Sequence, residues 1–317
     1  MAKNKYLLAL EGGGTRSQAG LLDRDGRVLH VSVSSDVNTN FVTFEQSQQA
    51  VLSAVNGALE AAGVSGEDVG RFVSALVGPR FGAETFGEVC PRAAYHYYSE
   101  KDVVFARAGI LRPHGVGVVA ATGATAFGMR VDDDREVMMG GWGSLLGDEG
   151  SAFAMGLMAL RCAVRVFEGR DETPTLLMEA ICRHFEIEPD NFRRGLVYLA
   201  YQKPLSRPEI GSLAAVVTGL AAQGDGAALR ITAKAAGDLA ALTMHVVRRL
   251  FDPAETFDVV VAGGLTNAGD LVLGPLRSQM AQAFPNAVIK IGVDEPAAAL
   301  GRLALFDSPV ESPIEEE

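Results

Sequence analysis

A carboxylate, three glycines, a hydroxyl and a guanidinium stand in succession near the head of the chain, as Glu11, Gly12, Gly13, Gly14, Thr15 and Arg16. Backbone N–H groups gathered in such a turn can cradle a polyphosphate, and a carboxylate at its mouth can hold hydrated Mg²⁺. An ordinary hairpin accounts for the same residues equally well. A second run of this kind, ATGATAFG over 121–128, follows an apolar stretch at the matching place in the second half and offers Thr122 and Gly123. The segment GGWGSLLGDEGSAF over 140–153 sets Asp148 and Glu149 at a glycine-shaped corner before a helix that Ser151 can cap. Carboxylates there suit sugar hydroxyls, and they equally suit the positive end of the helix. In VVVAGGLTNAGD, over 259–270, an apolar strand enters Gly263-Gly264, where a flat base can lie against bare backbone. Neither a strand–GxGxxG–helix unit with an acidic ribose partner nor a GxxxxGK[ST] loop is present, which excludes the common dinucleotide and Walker solutions.

These runs need elements to position them. Apolar stretches separated by glycine or Asp-Gly turns predict strands over 6–10, 18–23 and 27–34, then a helix over 43–62 stopped by Gly63. Further strands are expected over 72–77 and beginning at 102–105, where Val103, Val104 and Phe105 follow one another. The second half repeats the logic with strands over 116–121 and 136–139. Helices follow over 151–168, 175–184, 191–201, 209–223 and 227–250, with final strands over 259–262 and 288–291. The repetition predicts a duplicated α/β architecture of two lobes around a central cleft, divided as 1–112 plus 294–317 against 113–293.

The 317 residues, 48% of them apolar, suffice for two lobes with substantial cores. The net charge of −11 opposes association with nucleic acid or anionic membrane, so an anionic ligand has to be captured locally. No stretch approaches the roughly 20 apolar residues of a membrane helix, and the opening MAKNKYLLALEGGG lacks the pattern of a secretory signal. The expected location is therefore the cytoplasm. Cys90, Cys162 and Cys182 lie far apart and predict reduced thiols rather than disulfides or a zinc site. The acidic, proline-broken tail over 308–317 is expected to stay solvated.

Taken in order, the four glycine segments resemble the N-acetylglucosamine kinases and the wider BadF/BadG/BcrA/BcrD ATPase family, over about residues 6–305. EGGGTRS looks like the first phosphate loop, ATGAT the second, GGWGSLLGDEGS the sugar loop and AGGL at 262–265 the adenosine loop, while EPAAALGRLAL at 295–305 is similar to the closing helix. The resemblance implies the duplicated ribonuclease H-like fold of actin-like ATPases and an ATP-dependent kinase of an amino sugar or hexose, with N-acetylglucosamine or glucosamine foremost. It implies that Gly13, Gly14, Thr15, Arg16, Thr122 and Gly123 meet the phosphates and that Glu11 places Mg²⁺. Gly263 and Gly264 would lie along the adenosine, and Asn40 (or Asn38), Trp142, Gly143 and Asp148 would form the sugar pocket. A homodimer is expected.

Family members also carry an aspartate just after the strand expected here at 103–105, as proton acceptor. Phe105, Ala106 and Arg107 occupy that place, which leaves the base unassigned, with Asp102 a candidate surrogate. Loss of a base slows such chemistry by about 10²–10⁴-fold. The alternatives are a sugar or nucleotide sensor that has lost turnover, and a BadF-type ATPase driving a partner enzyme. The relatives of that last kind carry cluster-ligating cysteines, whose spacing is not matched here.

Overall fold

The computed structural model describes residues 5–131 and 135–307. The tail expected to be solvated lies outside the described residues. In chain order the main elements are β1 (Tyr6–Gly12), β2 (Ser17–Asp23), β3 (Val28–Ser34), α1 (Phe44–Ala62), β4 (Val69–Leu76), α2 (Ala83–Phe86), β5 (Ala94–Tyr97) and α3 (Glu100–Ala106). Then come β6 (Gly115–Ala120), β7 (Ala124–Met129), β8 (Glu136–Gly140), α4 (Ala152–Phe167), α5 (Leu177–His184), α6 (Phe192–Val197), α7 (Arg207–Ala222) and α8 (Gly226–Leu250). The chain closes with β9 (Asp258–Ala262), α9 (Asp270–Ala283), β10 (Val288–Gly292) and α10 (Pro296–Phe306). Two compact units result, one up to Leu111 and again from Val293, the other Arg112–Gly292.

In the first unit the sheet runs β3-β2-β1-β4-β5, with β1, β2 and β3 antiparallel and β4 and β5 parallel to β1. Successive side chains of a strand point to opposite faces, so β1 is buried on both. Leu8 and Leu10 join Val51, Val55 and Leu59 of α1, whereas Leu7 and Ala9 join Val103 of α3 with Leu300 and Ala304 of α10. Glu11 continues the Leu7–Ala9 face. The α1 boundaries follow from chemistry legible in the sequence: Thr43 and Gln46 form a reciprocal capping box, and Gly63 takes the left-handed C-cap.

The second unit repeats the order as β8-β7-β6-β9-β10, with β6, β7 and β8 antiparallel and β9 and β10 parallel to β6. A three-strand meander plus two parallel strands, found twice, is the duplicated ribonuclease H-like arrangement. Helices α4, α7 and α8 share one apolar core with this sheet, through Met155, Ala159, Leu213, Val217, Leu239 and Val247.

Two elements differ from expectation. Residues 102–105 belong to helix α3, not to a strand, and the strand is β5, eight residues earlier. Ser99 caps α3 by accepting from the Lys101 N–H, and Glu100 and Asp102 complement the dipole in the first turn, which outweighs the β-type run Val103-Val104-Phe105. Residues 124 and 125 do not stay in the turn but open β7, pairing Ala124 with Ala120.

A Cβ built on Gly156 of α4 stands 1.9 Å from the Ile210 carbonyl oxygen of α7, so the two helix backbones meet there. Gly156→Val should lower the unfolding free energy by about 1–3 kcal/mol through overpacking, read from the urea midpoint at unchanged slope.

Candidate functional site

Parallel strands bring β1, β4 and β5 to the same edge with their carboxyl ends, and the loop 12–16 leaves from that edge. The loop is tied at three points. Gly13 donates to the Arg16 carbonyl at 3.0 Å, Val37 N–H to the Gly13 carbonyl at 3.2 Å, and Val77 N–H to the Gly12 carbonyl at 2.8 Å. Gly13 therefore uses its own N–H inside the loop, so what it offers an anion is open space rather than that donor. Gly12 is required by crowding, not by positive φ: a Cβ there would sit 2.7 Å from Val37 and 2.9 Å from Leu76. A positive φ is taken by Gly26, in the turn between β2 and β3, at 82°.

Glu11, half-buried at this edge, has charged company from three further segments. Arg16 comes from the loop, Arg107 from the C-cap of α3, and Glu295 from the N-cap of α10, with Arg16 and Glu295 3.9 Å apart. Gln18 of β2 donates to Glu295 at 2.9 Å and fixes it over the sheet. Burial pushes the Glu11 carboxyl up to about 7, against the lowering pull of Arg107 and Arg16 and with a smaller push from Glu295. Glu100, the first residue of α3 and half-buried, is pushed up to about 8 by burial, with the charge of Glu11 adding to the push.

Arg107 is not a vacancy left by a lost base. Its Nε donates to the Asp294 carbonyl at 2.8 Å while its own carbonyl accepts from Val293 and Asp294, which latches the entry of α10 to α3. Phe105 and Ala106 are buried in the hydrophobic interior. Asp102 lies two residues, roughly 200° of helix, from Glu100 and acts on Tyr98 through its charge. Asn40 is exposed, its N–H bonded to the Asn38 side chain at 2.9 Å, so Asn38 builds the turn.

In the second unit the β6–β7 hairpin carries Thr122 and Gly123, and its carbonyls are capped by a helix start. Ala152 N–H donates to the Ala121 carbonyl at 2.9 Å and Phe153 N–H to the Thr122 carbonyl at 3.2 Å. Gly263, at the end of the adjacent parallel strand β9, takes φ 125°, and a Cβ on it would come 2.3 Å from the Ala120 carbonyl oxygen. The expected phosphate and adenosine loops of this half thus touch, backbone to backbone. Gly264 opens a short 3₁₀ turn beside them.

Asp148 is 3% exposed and holds φ 66°, a left-handed conformation unusual for a residue with a Cβ. Its Oδ2 accepts from Arg207 at 2.5 Å and its Oδ1 from the Ala124 N–H at 3.3 Å, so it pins the hairpin. Arg207 is the first residue of α7, lies over the Phe153 ring at 5.7 Å, and went unread in the sequence. Its signal was available: Ser206 and Glu209 form a capping box, which puts the helix start at 207. Trp142 is 73% exposed, and Gly143 beside it takes φ 79°.

The description "BadF/BadG/BcrA/BcrD ATPase family" belongs to the family model that matches residues 10–299. The chain is 25% identical over 291 residues to the N-acetylmuramic acid/N-acetylglucosamine kinase of Clostridium acetobutylicum, covering 90% of this chain and 93% of that one. It is 24% identical over 327 residues to the N-acetyl-D-glucosamine kinase of Dictyostelium discoideum, covering 95% and 98%. Among solved structures it is similar to a ROK family glucokinase from Streptomyces griseus, in complex with glucose and AMPPNP, with a TM-score of 0.61 at 17% identity, covering 95% and 98%.

Two measurements check these electrostatics. Arg207→Met strands a buried carboxylate and should destabilise by about 3–5 kcal/mol, with Asp148→Asn added to it recovering part of the loss. Glu11 and Glu100 hold protons more tightly folded than unfolded, so their contribution is complete below the usual glutamate value of 4.5 and is lost as pH rises through about 7 and 8. The thermal midpoint should fall from pH 6 to pH 9, and Glu100→Gln should flatten the fall.

Proposed function

Because the chain belongs to the BadF/BadG/BcrA/BcrD ATPase family, we propose that it is an ATP-dependent kinase of an amino sugar, N-acetylglucosamine or glucosamine. The observation that carries this reading is the duplication of one device. The β1–β2 and β6–β7 hairpins occupy equivalent places in two sheets of identical strand order, and each carries a glycine and hydroxyl loop. The names of the relatives, kinases of N-acetylated amino sugars, point the same way.

In this reading Gly13, Gly14, Thr15 and Arg16 on one loop and Thr122 and Gly123 on the other hold the triphosphate, while the side-chain-free backbone of Gly263 and Gly264 takes the adenosine. The sugar contacts fall to Asn40, Trp142, Gly143 and Asp148. A carboxylate has about four lone-pair sites, so an Asp148 that accepts from Ala124 and Arg207 retains acceptors for a sugar hydroxyl. Mg²⁺ fits the residues present. Among the described residues there is no cluster of three metal-ligating side chains, and an ion held by phosphate oxygens, waters and one carboxylate needs only Glu11 at the loop mouth. Bound there, it would neutralise charge on the transferring phosphoryl group.

A cytoplasmic, homodimeric protein completes the proposal. Cys90, Cys162 and Cys182 are free and buried, and no helix among the described residues is long and apolar enough to cross a membrane. Incubation with Mg²⁺–ATP and a panel of N-acetylglucosamine, glucosamine, N-acetylmuramic acid and glucose, read by mass spectrometry, should yield a phosphorylated amino sugar. Sugar binding without any phosphorylated product would replace this reading with that of a sensor. Asn40→Ala should raise the sugar KM roughly 10-fold, the worth of a hydrogen bond at about 1.4 kcal/mol, and leave the ATP KM unchanged.

A further inference from the structure

Residues four apart on a helix stand one above the other on the same face. Arg161 and Arg165 do so on α4, and Arg230 and Lys234 do so on α8. The four side chains line one cavity of about 320 Å³ between the two helices, over a floor that includes the half-buried Met158 and the buried Ile231. No carboxylate is among the lining residues. Like charges at this spacing repel and weaken a helix, yet each wall of the cavity carries such a pair, in a chain of net charge −11.

Two of the cations are matched by neighbours and two are not. Arg230 donates to Asp171 at 3.3 Å and to the Thr173 hydroxyl at 3.1 Å, and Asp171 is itself held by the Thr173 N–H at 3.1 Å, so one end of the cavity is fixed. Lys234 pairs with Asp238 at 2.5 Å. Among the described residues no ion pair engages Arg161 or Arg165. Four cations less two matched carboxylates leave two positive charges facing one space. We propose that this cavity is a binding site for a small phosphate monoester, its phosphoryl group held by Arg161 and Arg165 and its body resting on Met158 and Ile231. A phosphate monoester carries a charge of about −1.5 to −2 at neutral pH, which matches the two unpaired guanidinium groups, and guanidinium forks suit phosphoryl oxygens. The volume is near the lower end of small-molecule sites, about 300–1,000 Å³.

This site is separate from the glycine loops, and the inference stands apart from the kinase reading. Arg161 lies nine residues beyond Ala152, where α4 leaves the β6–β7 hairpin, or about 14 Å along the helix axis. The charge of the cavity is also steady near neutral pH. Burial holds the Cys162 thiol, which lines the cavity, above its ordinary value, and the hydrogen bonds from Thr173 hold Asp171 below its own.

Calorimetric titration of the full-length protein with glucose 6-phosphate and with inorganic phosphate tests the assignment. The ester should bind the wild type more tightly than phosphate does, because only the ester has a body to rest on the floor. Arg161→Ala and Arg165→Ala should each weaken it about tenfold and the double variant about 100-fold, whereas Lys at both positions should retain part of the affinity. Affinity for the ester should fall about fourfold from pH 7.5 to pH 5.5, as its second proton returns near pH 6. The unliganded double variant should melt at or above the wild-type temperature, since a repelling pair has been removed. Ester binding at wild-type strength in the double variant overturns the proposal, because the ester then sits elsewhere. Inorganic phosphate binding as tightly as the ester, or a lowered melting temperature in the unliganded double variant, overturns it as well, the first by leaving the floor without a part and the second by making the arginines structural. So does the failure of both probes to bind the wild type at millimolar concentration.

Discussion

Desolvation of carboxyls at the edge of the first sheet sets the electrostatics on which the remainder depends. With Glu11, Glu100 and Glu295 ionised against Arg16 and Arg107, the edge would be net negative and would repel a polyphosphate. Burial instead holds the Glu11 carboxyl at about 7 and the Glu100 carboxyl at about 8, so near neutral pH a large share of that negative charge is protonated away. A protein of net charge −11 thus sets two arginines, Arg16 and Arg107, about Glu11 without a basic patch. Covering β1 on both faces is what makes this possible, because the Leu7–Ala9–Glu11 face lies under α3 and α10, away from bulk water.

The second unit solves the same problem by opposite means. Its ionisable group, Asp148, is permanently matched to Arg207 at 2.5 Å, and the hairpin it pins offers backbone and hydroxyl groups in place of titratable ones. Holding a non-glycine residue at φ 66° carries a conformational penalty of about 1–2 kcal/mol, which the buried pair and the Ala124 hydrogen bond offset. Duplication preserved the strand order and let the two edges diverge in chemistry.

Much of this was legible in the sequence for physical reasons that can be named. The apolar run of β1, the Thr43 capping box with Gly63, and Ser151 before α4 each fix an element by local chemistry. The glycine loops were legible as loops, but not why glycine is needed. At Gly12 it is side-chain crowding from Val37 and Leu76, a tertiary fact that no local pattern encodes. Helix α3 was misread because three β-type residues outweighed a cap whose evidence is a single serine followed by acids. The consequence is local: the strand lies at 94–97, and 102–105 belong to the helix that follows it.

Glu100 and Arg207 share a property that explains why neither stood out. Each is the first residue of a helix, at N1 after a capping serine, Ser99 and Ser206. A helix's first turn is conformationally fixed by its cap yet has no preceding turn to pack against, so a long polar side chain there projects from a rigid origin toward whatever lies at the sheet edge. Sequence patterns read N1 as part of a boundary, where acidic residues are assigned to the dipole and basic ones to noise. The structure gives such a position a second use. Capping satisfies the backbone, and the side chain is left to act on the neighbouring loop, Arg207 on the β6–β7 hairpin through Asp148 and Glu100 on the β1 edge beside Glu11.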